Sequence, residues 1–207
     1  MAQPRLLPVH MPSRPVGVAL VLHGGGSRPG SPMVSPTQLS VLRMKPIALR
    51  VAHRAKNVAV YRLLNSHRGW DPSTTPVHDA RWAMDVTRDR WGDLPVALVG
   101  HSLGGRAALL AGSAPDVRCV VALNPWVLPS DVADLRGRRV LVVHGSADRI
   151  APIERARVVA DRLARTTDVT FEVVEGAKHA MLRQGAQFEK RAAEFVAETL
   201  GAGRAAR

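Results

Sequence analysis

The fold is decided by the stretch Val96-Ala97-Leu98-Val99-Gly100-His101-Ser102-Leu103-Gly104-Gly105, which continues as a small apolar run to Gly112. Its first five residues, Val96 to Gly100, form a continuous apolar run, the pattern of a strand covered on both faces. Leu103 to Gly112 reads as a helix. Between them stands Gly-x-Ser-x-Gly. A sharp strand-to-helix turn lifts the serine clear of the sheet, and its crowded backbone requires glycine on both flanks. A serine hydroxyl is a poor nucleophile until another group takes its proton. The first helical N–H groups, beginning with Leu103, aim at the place where negative charge would develop. The same residues would also serve a plain turn packing a helix on a strand, but the strand–helix setting favours the chemical reading.

Outward from this stretch the pattern repeats. Further apolar runs at Val16 to Leu22, Val58 to Leu63, Val117 to Leu123, Val140 to His144 and Val169 to Val174 complete six predicted strands. Helical segments fall between them at Ser35 to Ala55, Pro76 to Trp91, Pro152 to Arg165 and roughly Gln184 to Leu200. The first opens on Ser-Pro-Thr-Gln, an N-cap pattern, and Pro46 is expected to kink or split it. The last carries Phe188, Ala192, Phe195, Val196 and Thr199 on one stripe. Strand then helix, repeated, predicts an α/β fold, a mostly parallel sheet with helices on both faces. Function then gathers at the C-terminal ends of the strands.

The loops after the strands are accordingly informative. His23-Gly24-Gly25-Gly26 follows the first, and its glycines let backbone N–H groups point into a site unobstructed, so a second donor for a developing oxyanion is expected there. A phosphate-binding loop is the competing reading, but no Lys-Ser/Thr follows and no Gly-x-Gly-x-x-Gly opens a helix. His144-Gly145-Ser146-Ala147-Asp148 follows the fifth strand. A carboxylate there can orient a histidine, although a solvated turn Asp fits the same place. Gly176-Ala177-Lys178-His179 follows the sixth. Of the eight histidines, His179 alone lies between the last strand and the last helix. No His-Glu-x-x-His pattern exists, so a metal site has no support. The order is Ser102, Asp148, His179.

These motifs together, from about Val16 to Leu200, resemble the serine α/β-hydrolase family, in particular small capless esterases and relatives of dienelactone hydrolases. The resemblance implies a nucleophile at Ser102, a base at His179, an acid at Asp148, and oxyanion donors at Leu103 and at Gly25 or Gly26. It implies no cofactor and no metal. The relatives of dienelactone hydrolases commonly carry Cys as nucleophile, where this chain has Ser. About fifteen residues precede the first clear strand, so the family's two N-terminal strands are expected to be missing or reduced. Asn124 to Arg139 is too short for a helical cap. In some relatives the acid follows the preceding strand, which makes Asp131 the reserve candidate. Trp126, Leu128 and Arg28 are candidate pocket residues. Trp126 and Trp70 read equally well as half-buried loop aromatics.

Composition bounds the rest. The 207 residues suggest one domain, 1–207, and hydrophobic residues at 46% suffice for a core. No apolar run is long enough to span a bilayer, and Met1 to Pro15 lacks the apolar stretch of a signal peptide. The one cysteine, Cys119, has no disulfide partner. A cytoplasmic location is therefore expected. The net charge of +12 is scattered and almost all arginine, with few aromatics for base stacking, so no nucleic-acid partner is expected. The expected activity is hydrolysis of a carboxylic ester of a small-molecule acyl substrate through an acyl-enzyme. A thioesterase drawing an anionic acyl carrier by its charge is the alternative. A catalytically silent hydrolase-fold binding protein is a further one. Oligomeric state is not set by the sequence.

Overall fold

The computed structural model describes residues 3–26 and 34–201. Along the chain run β1 (Arg5–His10), β2 (Gly17–Leu22), α1 (Leu39–Leu42), α2 (Met44–Arg54), β3 (Val58–Leu64), α3 (Thr75–Trp91) and β4 (Val96–His101). There follow α4 (Leu103–Ala111), β5 (Val117–Leu123), β6 (Arg139–Gly145), α5 (Ile153–Leu163), β7 (Asp168–Val174) and α6 (Gly185–Gly201). The strands form one seven-stranded sheet in the order β1-β3-β2-β4-β5-β6-β7. All neighbours are parallel except β1, which lies antiparallel on β3 at one edge.

Strand β1 is the one N-terminal strand that remains before β2, in keeping with the expected reduction of that part of the fold. Its sequence hides it, because Pro8 interrupts a short, half-exposed run. An edge strand tolerates proline, since one side of its backbone has no ladder partner. The pairing with β3 slips between Pro8 and His10, where the chain bulges.

The inner strands are apolar over most of their length because both faces are covered. On β2, Leu20 and Leu22 pack with Met84 of α3 and Ala107 of α4, whereas Ala19 and Val21 pack with Ile47 of α2 and Phe188 of α6. Successive side chains of a strand alternate faces, so a strand between two helical layers must be apolar throughout. Helix α4 comes closest to the sheet through its small residues. A Cβ added at Gly104 would lie 2.5 Å from the Leu22 carbonyl oxygen. Cys119 of β5 is wholly buried, and burial pushes its thiol up to about 12, against partial relief from the Thr199 hydroxyl.

The helix expected over Ser35 to Ala55 is two helices that meet at Arg43. Ser35-Pro-Thr-Gln forms a turn, with the Gln38 N–H donating to the Ser35 carbonyl at 3.1 Å, and α1 begins only at Leu39. Pro46 is the third residue of α2. It sits in the first turn, where its missing N–H would have had no intrahelical partner. Between β5 and β6 the described residues form turns and irregular chain, so none of them builds a cap over this end of the sheet. Among the described residues no helix is long and apolar enough to cross a membrane.

Candidate active site

Strand β4 delivers Ser102 at a strained turn. Its φ of 56° and ψ of −119° place it in a region non-glycine residues rarely occupy. Such strain costs on the order of 1–3 kcal/mol and persists only where the surroundings enforce it. Here they do. The Ser102 N–H donates to the Leu123 carbonyl at 3.0 Å, and the Ser102 carbonyl accepts from Trp126 N at 3.0 Å and Arg106 N at 3.1 Å. A Cβ on Gly100 would collide with the Gly104 carbonyl and one on Gly24 would come within 2.9 Å of Ser102 Cβ. The glycines of both loops are therefore steric requirements of one tight junction, formed because β2 and β4 are neighbours with Leu22 opposite Gly100.

The Ser102 hydroxyl lies 2.9 Å from His179 Nε2, and His179 Nδ1 lies 2.8 Å from Asp148 Oδ2. A carboxylate only accepts, so Nδ1 carries the proton and Nε2 is free to accept from the hydroxyl. The Asp148 side chain is wholly buried, while that of His179 is 12% exposed. Burial alone would raise the Asp148 pKa. The bonds from His179 and from the Ala151 and Ile150 N–H groups outweigh it and hold the carboxyl below the ordinary aspartate value. Asp148 thus stays ionised beside the imidazole.

Asp131, the reserve acid, is engaged elsewhere. It receives a bidentate pair from Arg106 at 2.7 and 2.8 Å and the Leu128 N–H at 2.8 Å. The Arg106 guanidinium in turn lies 4.0 Å from the Trp70 ring centre and 5.4 Å from that of Trp126.

The loop that carries His179 is held by residues the sequence reading passed over. Asn124, fully buried just after β5, donates from Nδ2 to the Lys178 and His179 carbonyls at 3.3 and 3.2 Å, and its Oδ1 accepts the Gly145 N–H at 2.8 Å. His101 Nε2 donates to the same His179 carbonyl at 2.8 Å. The available signal was position, since both residues stand at the C-terminal end of an inner strand. His23 is a loop brace, donating from Nδ1 to the Gly24 carbonyl and accepting the Asn65 N–H at Nε2. Burial lowers the pKa of His23, and of His101 to about 3, so both are neutral spacers rather than proton carriers.

A cavity of about 460 Å³ opens over Ser102 and His179. Gly25, Gly26 and Leu103 line it, with Trp126 and Trp70 forming aromatic wall. Leu128 does not line it. Its side chain is half-buried beyond Trp126, its N–H committed to Asp131. Arg28 lies outside the described residues. Arg43, Ser40 and Ile150 also face the cavity and were not anticipated.

The strained serine between β4 and α4 lies within a stretch that matches a known family. The model of the Alpha/beta hydrolase family matches residues 19–139. The chain belongs to this family. Among curated relatives, Cutinase 2 of Thermobifida cellulosilytica is 30% identical over 99 residues, covering 47% of this chain and 37% of that one. The chain thus spans little more than a third of the length of that relative. Two solved members share the fold at low identity. An alpha-beta serine hydrolase homologue from Coxiella burnetii superposes with a TM-score of 0.71 at 15% identity, over 94% of this chain and 92% of that one. Est1E from Butyrivibrio proteoclasticus does so with a TM-score of 0.71 at 14% identity, over 96% and 94%. The N-terminal part of this alpha/beta hydrolase is reduced to one antiparallel strand at the sheet edge.

Proposed function

We propose that this alpha/beta hydrolase cleaves carboxylic esters of small molecules through an acyl-enzyme on Ser102. The observation that carries the reading is the unbroken chain from the Ser102 hydroxyl through His179 to buried Asp148, at the floor of an open cavity. Its likeness to Cutinase 2 supports the same bond class.

In this reading Ser102 Oγ attacks the ester carbonyl while His179 Nε2 takes its proton. Asp148 keeps the Nδ1 proton in place and stabilises the imidazolium. The Leu103 N–H and that of Gly25 or Gly26 receive the oxyanion. The imidazolium then protonates the departing alcohol, and a water activated by the same nitrogen releases the acid. The working unit is the single domain, 1–207, and with a lone buried thiol we place it in the cytoplasm.

The cavity is uncapped, which sets the chain length. Each methylene buried contributes about 0.8 kcal/mol only where there is wall to bury it against. Activity on p-nitrophenyl esters should therefore peak at about two to six acyl carbons. The deciding experiment pairs that series with a fluorophosphonate probe. The probe should label wild type and not Ser102→Ala, and p-nitrophenyl butyrate should give an acyl-enzyme burst. Labelling that persists in Ser102→Ala, or no hydrolysis of any ester, overturns the reading.

A further inference from the structure

The cavity is chemically one-sided. Two tryptophans supply apolar wall, and Ser40 and Arg43 also line the cavity, the latter at the junction of α1 and α2. Arg43 is the one permanently charged side chain among the described residues lining the cavity, and no carboxylate lines it. The Arg43 Nε–H is shut off from solvent with no hydrogen-bond partner among the described residues. None of the ion pairs described involves Arg43. The segments outside the described residues contain no Asp or Glu, so no acidic side chain of this chain is left to pair with it.

The contrast with Arg106 is direct. That guanidinium, 4.0 Å from the Trp70 ring centre, has both carboxylate oxygens of Asp131. A guanidinium stays charged in proteins, and taking it partly out of water without an anion is unfavourable. Burial accordingly lowers the pKa of Arg43. A partly buried guanidinium whose Nε–H has no partner among the described residues is what a carboxylate from outside would complete.

We propose that Arg43 forms a carboxylate subsite, so that the preferred substrate is an ester carrying a second, ionised carboxyl group. This rests on the esterase reading for the bond cleaved, and on the cavity alone for the anion. The methylene linker of such a substrate would lie along Trp70 and Trp126, with the ester over Ser102 and the free carboxylate on Arg43.

The test uses two matched pairs. Monomethyl adipate against methyl hexanoate puts the charge on the acyl side, and 4-acetoxybutanoate against butyl acetate puts it on the alcohol side. The ratio of kcat/KM for the charged to the neutral ester is measured in wild type, Arg43→Gln and Arg43→Lys. In at least one pair the ratio should fall about tenfold or more in Arg43→Gln and by less in Arg43→Lys. The pair that responds identifies the side. Ratios unchanged in both pairs overturn the proposal. Should Arg43→Gln fold poorly, Arg43→Met keeps the aliphatic stem and is read the same way. A second measurement separates failure here from failure of the esterase reading. Adipate is titrated calorimetrically into Ser102→Ala and into Ser102→Ala with Arg43→Gln. If no ester is turned over, this titration decides alone. About tenfold weaker binding on loss of Arg43 upholds the subsite, whereas equal binding, or none to either protein, overturns it.

Discussion

The two halves of the site are held in opposite ways. The serine turn, residues 100–105, is fixed by main chain: glycines leave no room for a side chain, and three main-chain hydrogen bonds, two of them to Leu123 and Trp126, hold Ser102 at positive φ. The His179 loop has main-chain bonds too, from the Ala177 N–H to the Val174 carbonyl and from the Met181 N–H to the Lys178 carbonyl. His179 itself, however, hangs from side chains that arrive from other strands, Asn124 after β5, His101 from β4 and Asp148 after β6. Main-chain fixation rests on the space that glycine leaves, whereas side-chain fixation rests on particular polar groups. The first fails all at once when a methyl group is added; the second should loosen by degrees.

The largest expected effect tests the far end of the hydrogen-bonded half. Asp148→Asn keeps the shape but favours the wrong imidazole tautomer, and kcat should fall about 10⁴-fold. Asp131→Asn is its control. It should cost stability, since it breaks a largely buried pair with Arg106, yet lower kcat by less than about tenfold, a bound set by one pairwise interaction. If the two variants exchange behaviours in steady-state assays, Asp131 is the acid after all.

The steric half comes next. Gly100→Ala should destabilise the fold by at least about 4 kcal/mol in denaturant melts, because its Cβ meets main chain that cannot withdraw. Gly26→Ala, whose Cβ would meet nothing within 4 Å among the described residues, should leave stability nearly unchanged. Equal losses at the two positions would show that the turn is not sterically locked. Asn124→Ala should cost about 3 kcal/mol, the sum expected for a stranded Gly145 N–H and a Lys178 carbonyl left without its donor, the His179 carbonyl keeping His101. It should also lower kcat more than it raises KM. Wild-type turnover in that variant would mean the His179 loop holds itself.

The smallest effect is a slope. Burial lowers the pKa of His23, His101 and His144 in the folded state. Each therefore binds protons in the unfolded chain before it does so in the folded one. Their contribution to stability is complete above about pH 6.5 and is lost as the pH falls, for His101 down to about 3. The slope should reach at most about 1.4 kcal/mol per pH unit for each histidine, and His101→Asn should flatten it. Flat stability from pH 7 to 5 would place these rings in contact with water.

The same contrast explains what could be read from the sequence. The apolar runs, the alternation of strand and helix and the glycine spacing are local, and they led to the sheet and to the position of the serine. Ser102, Asp148 and His179 could be named because each follows a strand of the parallel part of the sheet, whose C-terminal ends collect functional side chains. Asn124 and His101 stand in equivalent places but carry no motif. Strand β1 was hidden by Pro8, which is tolerated only because the strand is an edge. Trp70 and Arg43 reach the cavity from the connection after β3 and from the helix junction, and no periodicity reveals that convergence. Leu128 was assigned to the wall by adjacency to Trp126, but its backbone turns toward Asp131 instead.

Cys119 offers a clock for the molecule's breathing. Its sulfur is sealed between β5 and α6, near Thr199, and its thiol is pushed up to about 12, so a thiol reagent can reach a reactive thiolate only after those elements part. It is also the chain's single cysteine, so every modification event reports the same opening. When reclosing is faster than reaction, the labelling rate measures the free energy of that opening under native conditions, without denaturant. The centre of the sheet should then exchange at a rate set by global unfolding. Labelling much faster than global unfolding would reveal that α6 detaches on its own.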